Sequence, residues 1–166
     1  REIFSENSEV RGAVLGGGSR RAELEALSRE LGVAERLEYE GFQPVNRVMA
    51  ALGSARVYVS TSKSDGASVS LLEAMSRGCF PVVTDIPANR EWILSGANGS
   101  LFPVGDAKAL AQCVLDAMGD ESLLERASTQ NVQLVRDRGD LNDNLERVEG
   151  ICERLVGKSS SNALSD

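Results

Sequence analysis

Residues 57–84 read VYVSTSKSDGASVSLLEAMSRGCFPVVT, and this stretch decides the fold. The apolar run Val57–Ser60 predicts a short strand, and the residues from about Ser68 to Arg77 predict a helix that Gly78 ends. A second apolar run, Pro81–Thr84, predicts another strand. A strand, a helix and a strand in this order are typical of a parallel βαβ unit with a right-handed crossover.

The same alternation continues toward the N-terminus. In chain order we predict a helix at Glu2–Glu6, a strand at Val10–Leu15, a helix after Ser19, a strand at Leu37–Glu40 and a helix at Val45–Gly53. Ser19 would cap its helix, whose apolar stripe is Leu24, Leu27 and Leu31 and whose end is at Gly32. The turn Gly16-Gly17-Gly18 before Ser19 begins like a dinucleotide fingerprint but carries Arg21 where a third glycine is needed. A plain strand-to-helix turn and a ligand-lining turn both remain open.

Toward the C-terminus the pattern becomes helical. The predicted elements are a short helix near Asn89–Leu94, a strand at Ser100–Phe102, and helices at Ala107–Met118, Ser122–Arg136 and Leu141–Val156. Strands that are buried on both faces and alternate with helices predict an α/β fold, a Rossmann-like parallel sheet with helices on both faces that ends in a helical segment. In such sheets ligands bind at the carboxyl ends of the strands, so the loop after Val57–Ser60 is a predicted binding site.

Composition bounds the size and class of the protein. The 166 residues, 42% of them hydrophobic, suit one domain, which we place at 1–157, with a serine-rich disordered tail at 158–166. The net charge of −7 and the pI near 4.8 argue against nucleic-acid binding. Histidine is absent and the three cysteines are far apart, so we expect no metal site and no disulfide framework. We expect a cytoplasmic protein with neither a transmembrane helix nor a signal peptide.

The loop and the helix start that follow Ser60 have the chemistry of an anion site. The backbone amides of Gly66, Ala67, Ser68 and Val69 would be the unpaired donors of a helix N-terminus, which favours a phosphate. Gly66 would let the backbone approach a ligand closely. Asp65 and Glu73 flank this cradle, and carboxylates accept hydrogen bonds from the hydroxyls of sugar and ribose. The pattern therefore indicates a nucleotide-sugar site.

These residues resemble a known family. The segments Asp65–Ser68, Leu72–Gly78, Pro81–Pro87 and Asn89–Glu91 closely resemble the C-terminal, donor-binding domain of family 4 glycosyltransferases, which are retaining enzymes of the two-domain GT-B fold. The likeness extends over roughly 10–136. It also includes the turn at 16–18, the stretch 33–41, and Asn-Gly-Ser-Leu-Phe-Pro at 98–103 followed by Gly-Asp at 105–106.

The resemblance implies a role for each site residue. Two acids separated by seven residues mark the family's donor site, and Asp65 and Glu73 have this spacing. Asp65 would be the active-site acid that holds the hydroxyls of the transferred sugar, and Glu73 would hold those of the ribose. The family's first acid is usually Glu, which is one methylene longer than Asp65. The amides of residues 66–69 would face the sugar and the diphosphate.

The resemblance also implies missing parts. The family's C-terminal domain opens with a central strand and a loop carrying an Arg and a Lys, and the acceptor-binding N-terminal domain precedes it. Without these parts we expect a gap in the sheet, weak donor binding and no transfer by this chain alone. The implied partners are a nucleotide-diphosphate sugar as substrate, with no other cofactor and no essential metal, and a glycan, lipid or small-molecule acceptor. Peripheral membrane contact would come through the full-length protein, and polysaccharide biosynthesis is the implied process.

Plainer interpretations remain for single residues and for the function. Asp65 also suits a turn or a helix cap, Glu73 a solvated surface acid, and Asn89 and Glu91 the cap and surface of a short helix. Lys63 either helps to neutralise a phosphate or is a solvated loop residue. A non-catalytic module that binds a nucleotide sugar or serves as a scaffold is the alternative function. Half of a sugar-nucleotide epimerase is disfavoured, because no catalytic base accompanies the site.

Overall fold

The computed structural model describes residues 1–66, 68–139, 144–146 and 148–154. The strands are β1 (Gly12–Leu15), β2 (Leu37–Gly41), β3 (Val57–Ser60), β4 (Phe80–Thr84) and β5 (Ser100–Phe102). The helices are α1 (Glu2–Glu6), α2 (Arg21–Glu30), α3 (Val45–Ser54), α4 (Val69–Ser76), α5 (Pro87–Arg90), α6 (Ala107–Gly119) and α7 (Glu121–Arg138). A 3-10 turn at Ala34–Arg36 precedes β2. Strands and helices alternate as predicted, and the fold class is α/β.

The strands form two parallel sheets. One contains β1 and β2, and the other has the order β3-β4-β5. All three pairings are parallel, as the βαβ pattern predicts. The single continuous sheet does not form, since β1 and β3 each have a strand partner on one side only. The lack of a central strand stays a prediction.

Strand β4 is the centre of the core. All five of its residues are buried. Phe80 and Val82 pack on one face against the inner sides of α6 and α7, while Val83 packs on the other face against Leu71 and Met75 of α4. Helices therefore cover both faces of this strand. The sequence predicted strands that are buried on both faces. This prediction is confirmed for β4 and wrong for β1 and β3, which are partly exposed.

The N-terminal part of the fold is less well covered than its sequence predicts. Helix α2 begins at Arg21, and Arg20 occupies the cap position without a capping hydrogen bond, so the predicted cap at Ser19 is wrong. The guanidinium of Arg20 instead donates to the Glu23 carboxylate in the first turn. The predicted stripe on α2 is exposed; it comprises Leu24, Leu27 and Leu31. An apolar period predicts which face is apolar but not that another element covers it.

Two glycines confirm the predicted helix ends. Gly32 and Gly78 have φ angles of +69° and +81°, the left-handed conformation that glycine adopts without a side-chain penalty. An added Cβ at Gly78 would also meet the Ser128 hydroxyl of α7, which would have to turn away. The turn after α4 therefore packs against α7.

Helix α5 begins two residues before its predicted start. Pro87 occupies the first turn, where its missing N–H costs nothing, and the helix ends at Arg90 rather than near Leu94. The predicted helix Leu141–Val156 is only partly described: residues 144–146 and 148–154 are helical, and Leu145, Val148 and Ile151 are exposed there. The predicted tail 158–166 lies outside the described residues.

Among the helices that the structure describes, none combines the length and apolar character needed to span a membrane.

Candidate functional site

The predicted site lies at the carboxyl end of β3. Strand β3 ends at Ser60 and helix α4 begins at Val69, so residues 61–68 form the connecting loop. Because β3 and β4 are parallel neighbours, the segment after Thr84 leaves the sheet at the same edge. The loop and this segment together border the carboxyl edge, where α/β folds bind ligands.

Helix α4 is fixed firmly behind the loop. Its inner side, Leu71, Ala74 and Met75, is fully buried. At its C-terminal end the amides of Gly78 and Cys79 donate to the carbonyls of Met75 and Ala74. The helix is therefore a rigid base for whatever its N-terminus binds.

The N-terminus of α4 has no side-chain cap. Ser68 occupies the cap position, but its hydroxyl accepts no hydrogen bond from the first turn. Asp106 and Asp120 do cap α6 and α7, where their carboxylates accept from backbone amides at 2.8–3.1 Å. No described side chain caps the first amides of α4, which is also true of α1, α2, α3 and α5, and the helix dipole favours an anion there.

The predicted residues surround this helix start. Asp65 and Gly66 are exposed in the loop, Ser68 is half-buried at the cap and Val69 is the exposed first residue of α4. Glu73 is half-buried one turn later, about 6 Å further along the helix axis. Ala67 lies outside the described residues. In the described part of the chain, neither Asp65 nor Glu73 belongs to an ion pair.

Gly66 has no structural need to be glycine within the protein itself. Its φ angle is not positive, and an added Cβ would meet no atom within 4 Å. The close approach of a ligand at Gly66 stays a prediction, for which this open space leaves room. The turn at Gly17 differs, because a Cβ there would lie 2.6 Å from the Phe42 ring. Phe42 is itself exposed and its ring can move aside, so a plain strand-to-helix turn and a ligand-lining turn both remain open at Gly17.

Two hydrogen bonds that sequence reasoning overlooked hold the loop and the helix start. The buried Thr84 hydroxyl donates to the Ser62 carbonyl at 2.5 Å. The Tyr58 hydroxyl of β3 and the Ser70 hydroxyl of α4 are 2.8 Å apart. The signal in the sequence was slight: a threonine that ends an otherwise apolar strand and a tyrosine within a strand.

The structure gives different surroundings to Asn89, Glu91 and Lys63, for which plainer roles were also open. Asn89 is buried, and its side-chain amide donates to the Thr84 carbonyl at 2.8 Å, so its role in the structure is to hold the end of β4. Glu91 is exposed, and its carbonyl accepts a hydrogen bond from Arg138 at 3.3 Å. Lys63 is exposed in the loop. Asp85, which directly follows β4, forms an ion pair with Arg90. The hydrogen bonds from Arg90 hold the pKa of the Asp85 carboxyl below its usual range.

Within the residues that the structure describes, no three His, Cys, Asp or Glu side chains converge as metal ligands would. The expectation that no metal is needed stays a prediction.

Comparison with known proteins supplies the family. The family described as "Glycosyl transferases group 1" matches residues 2–133. A lipopolysaccharide core biosynthesis glycosyltransferase of Rhizobium meliloti is 29% identical over 154 residues, which are 92% of this chain and 38% of that protein. The chain therefore spans well under half the length of this relative.

Solved structures agree with the fold. The mutant TarM enzyme of S. aureus, in a complex that includes UDP, superposes with a TM-score of 0.82 at 18% identity, over 90% of this chain and 30% of that one. The C-terminal domain of a group 1 glycosyl transferase from Francisella tularensis superposes with a TM-score of 0.76 at 21% identity, over 84% of this chain and 74% of that one. The match to most of an isolated C-terminal domain agrees with the resemblance seen in residues 65–91. The chain belongs to the group 1 glycosyl transferases of the GT-B fold and corresponds to their C-terminal domain.

Proposed function

We propose that this chain is the donor-binding half of a retaining glycosyltransferase, which transfers a sugar from a nucleotide-diphosphate sugar to a glycan, lipid or small acceptor. The uncapped N-terminus of α4 carries the proposal. Its first amides, which no described side chain caps, lie at the carboxyl edge of the sheet, beside two carboxylates outside any ion pair of the described residues. Such an end binds a diphosphate without any basic side chain.

Each residue then has a defined task. The amides of residues 66–69 bind the diphosphate and stabilise the charge that develops on it when the sugar leaves. Glu73 accepts hydrogen bonds from the ribose hydroxyls, and Asp65 accepts from hydroxyls of the transferred sugar. Neither acid needs to move a proton. The leaving phosphate would help activate the acceptor on the same face of the sugar, which gives retention.

The partners follow from this assignment and from the relatives. A lipopolysaccharide relative favours a glycan or lipid acceptor and a role in polysaccharide biosynthesis. We place the acceptor site in a separate N-terminal domain, and any peripheral membrane contact in the full-length protein. The free cysteines Cys79, Cys113 and Cys152 fit the reducing cytoplasm.

An NMR titration tests the donor site. Adding UDP or GDP to the 15N-labelled chain should shift the amide signals of Gly66, Ser68, Val69 and Ser70. Glu73→Ala should weaken the binding of the effective nucleotide by about tenfold, because a charge-assisted hydrogen bond is lost. Glu125→Ala is the matched control, since Glu125 is an exposed glutamate on α7. Nucleotide shifts confined to another surface would refute the assignment.

Transfer is tested with the full-length protein. Incubation with a panel of nucleotide sugars and NMR analysis of the product anomer should show a product that keeps the donor's configuration. Donor binding without hydrolysis or transfer on any acceptor tested would instead favour the non-catalytic binding module.

A further inference from the structure

The loop that would hold the donor makes a specific contact with the end of the neighbouring strand. Strand β4 reads Phe-Pro-Val-Val-Thr, and its last residue, Thr84, is the only polar one. Thr84 is fully buried, and its hydroxyl donates to the Ser62 carbonyl in the loop after β3. A hydroxyl in so apolar a place needs a partner, and the partner here is a backbone atom of the site loop.

Thr84 is itself held rigidly. Its carbonyl accepts a hydrogen bond from the buried Asn89 side chain at 2.8 Å, and the amide of the next residue, Asp85, donates to Phe102 of β5 at 2.7 Å. The hydroxyl is thus a fixed donor in a rigid strand end. The Ser62 carbonyl is fixed by it, three residues before Asp65.

Beyond Ser62 the loop has few fixed points. The next described side-chain contact is the one between Tyr58 and Ser70 in the first turn of α4. The hydrogen bond from Thr84 therefore sets the direction in which residues 63–66 leave the sheet, and with it the position of Asp65 relative to the α4 amides.

We propose that Thr84 is a positioning residue of the donor site: by holding the Ser62 carbonyl, it arranges the loop for nucleotide binding before the nucleotide arrives. The proposal rests on the proposed function, because it takes loop 61–68 as the donor loop. Pre-organisation of this kind increases affinity without any contact between Thr84 and the ligand.

The test uses Thr84→Val in the 166-residue chain. Valine keeps the volume and the branched Cβ and replaces the hydroxyl with a methyl group, which cannot donate a hydrogen bond. In a 15N NMR titration with UDP, or with GDP if only GDP binds the wild type, we expect about fivefold weaker binding, the loss that corresponds to one hydrogen bond. The signals of residues 62–66 should also shift in the free variant. Thr84→Ser, which keeps the hydroxyl, should restore both the affinity and the signals.

The control is Thr129→Val on the exposed side of α7. It also removes a hydroxyl that donates to a backbone carbonyl, that of Glu125, but far along the sequence from the loop. Its UDP affinity should equal that of the wild type. If Thr84→Val does not fold, Thr84→Ala replaces it in the comparison with Thr84→Ser.

The outcomes separate the two proposals. Equal UDP affinity in the wild type and in the variant without the hydroxyl overturns the role of Thr84 and leaves the donor site standing. A failure of Thr84→Ser to restore binding also overturns it. If neither UDP nor GDP shifts the signals of loop 61–70 in the wild type, the proposed function and the inference are both overturned.

Discussion

At the scale of single residues, Cys79 shows how the fold controls a side chain's chemistry. Cys79 is fully buried at the start of β4, and its thiol donates to the Leu52 carbonyl at 3.1 Å. Burial raises the pKa of the Cys79 thiol from 9.0 to about 11, because the buried thiolate would lose its hydration. The residue is a small apolar side chain of the core rather than a nucleophile.

This shift predicts a loss of stability at alkaline pH. Between pH 9 and 11 the unfolded chain releases the Cys79 proton while the native chain keeps it, so the native state binds more protons. The free energy of unfolding should fall as the pH rises through this window. Urea unfolding at pH 8, 9 and 10 measures the effect, and Cys79→Ala should show a smaller fall than the wild type. The exposed Cys152→Ala is the control, and parallel curves for all three proteins would contradict the prediction.

Some site residues can be predicted from a short stretch of sequence, and others depend on contacts between distant parts of the chain. Asp65, Gly66 and Glu73 lie within nine consecutive residues, so a motif and one helix turn are enough to predict their grouping. Thr84 could not be assigned from sequence, because the carbonyl it contacts lies 22 residues away and is selected by strand pairing. Whether α4 is capped was equally undetermined, since Ser68 has a hydroxyl that could cap and does not.

At the scale of elements, a buried pair of amides joins α7 to the sheet. The Asn131 side chain donates to the carbonyls of Cys79 and Asn98 at 3.0 and 2.9 Å and accepts from the Asn98 side chain at 3.0 Å. The Asn98 amide also donates to the Trp92 carbonyl at 2.9 Å. Both side-chain amides are buried and have hydrogen-bond partners, so the pair fixes the position of α7 relative to β4.

Removing this pair should be costly. Asn131→Leu should lower the free energy of unfolding by about 3 kcal/mol, because the carbonyls of Cys79 and Asn98 would remain buried without partners. Chemical denaturation with urea measures the loss. The neighbouring Gln130→Leu, at an exposed position of the same helix, should change stability by under about 0.5 kcal/mol. Similar losses in both variants would contradict a specific role for Asn131.

The bounds of a strand or helix could be predicted where the neighbouring residues mark its ends clearly. The bounds of β3 and β5 were predicted without error, because short apolar runs there end at polar or proline residues. The start of α2 was predicted wrongly, because Arg20 donates a hydrogen bond to the Glu23 carboxylate where a serine cap was expected. The exposure of Leu24 and Leu27 was missed because coverage depends on which elements lie above a helix, and periodicity carries no such information.

At the scale of the whole molecule, the division of the sheet is the main departure from a regular doubly wound fold. Strands β1 and β3 each present an unpaired edge, and they expose Val14 at 38% and Val59 at 44%. Apolar residues in short strands suit a sheet interior. We propose that a preceding segment of the native protein supplies a parallel strand between them.

A longer version of the chain tests this proposal. Adding the native residues that precede Arg1 should raise the free energy of unfolding and slow hydrogen exchange of the amides in β1 and β3, because both edges would gain hydrogen bonds. An extension of equal length made of glycine and serine is the control and should leave both quantities unchanged. Equal stabilisation by the two extensions would rule out a specific strand.

The two sheets are joined through few elements. Helix α1 packs on α6, with Ile3 against the core around Phe80, and α3 packs on α4. We infer that residues 1–41 detach as one cooperative unit while residues 57–138 stay folded around β4. Loop 61–68, the proposed donor loop, belongs to the second unit. Partial unfolding at the N-terminal end is therefore expected to leave the proposed nucleotide site intact, and thermal denaturation is expected to show two transitions with separate midpoints.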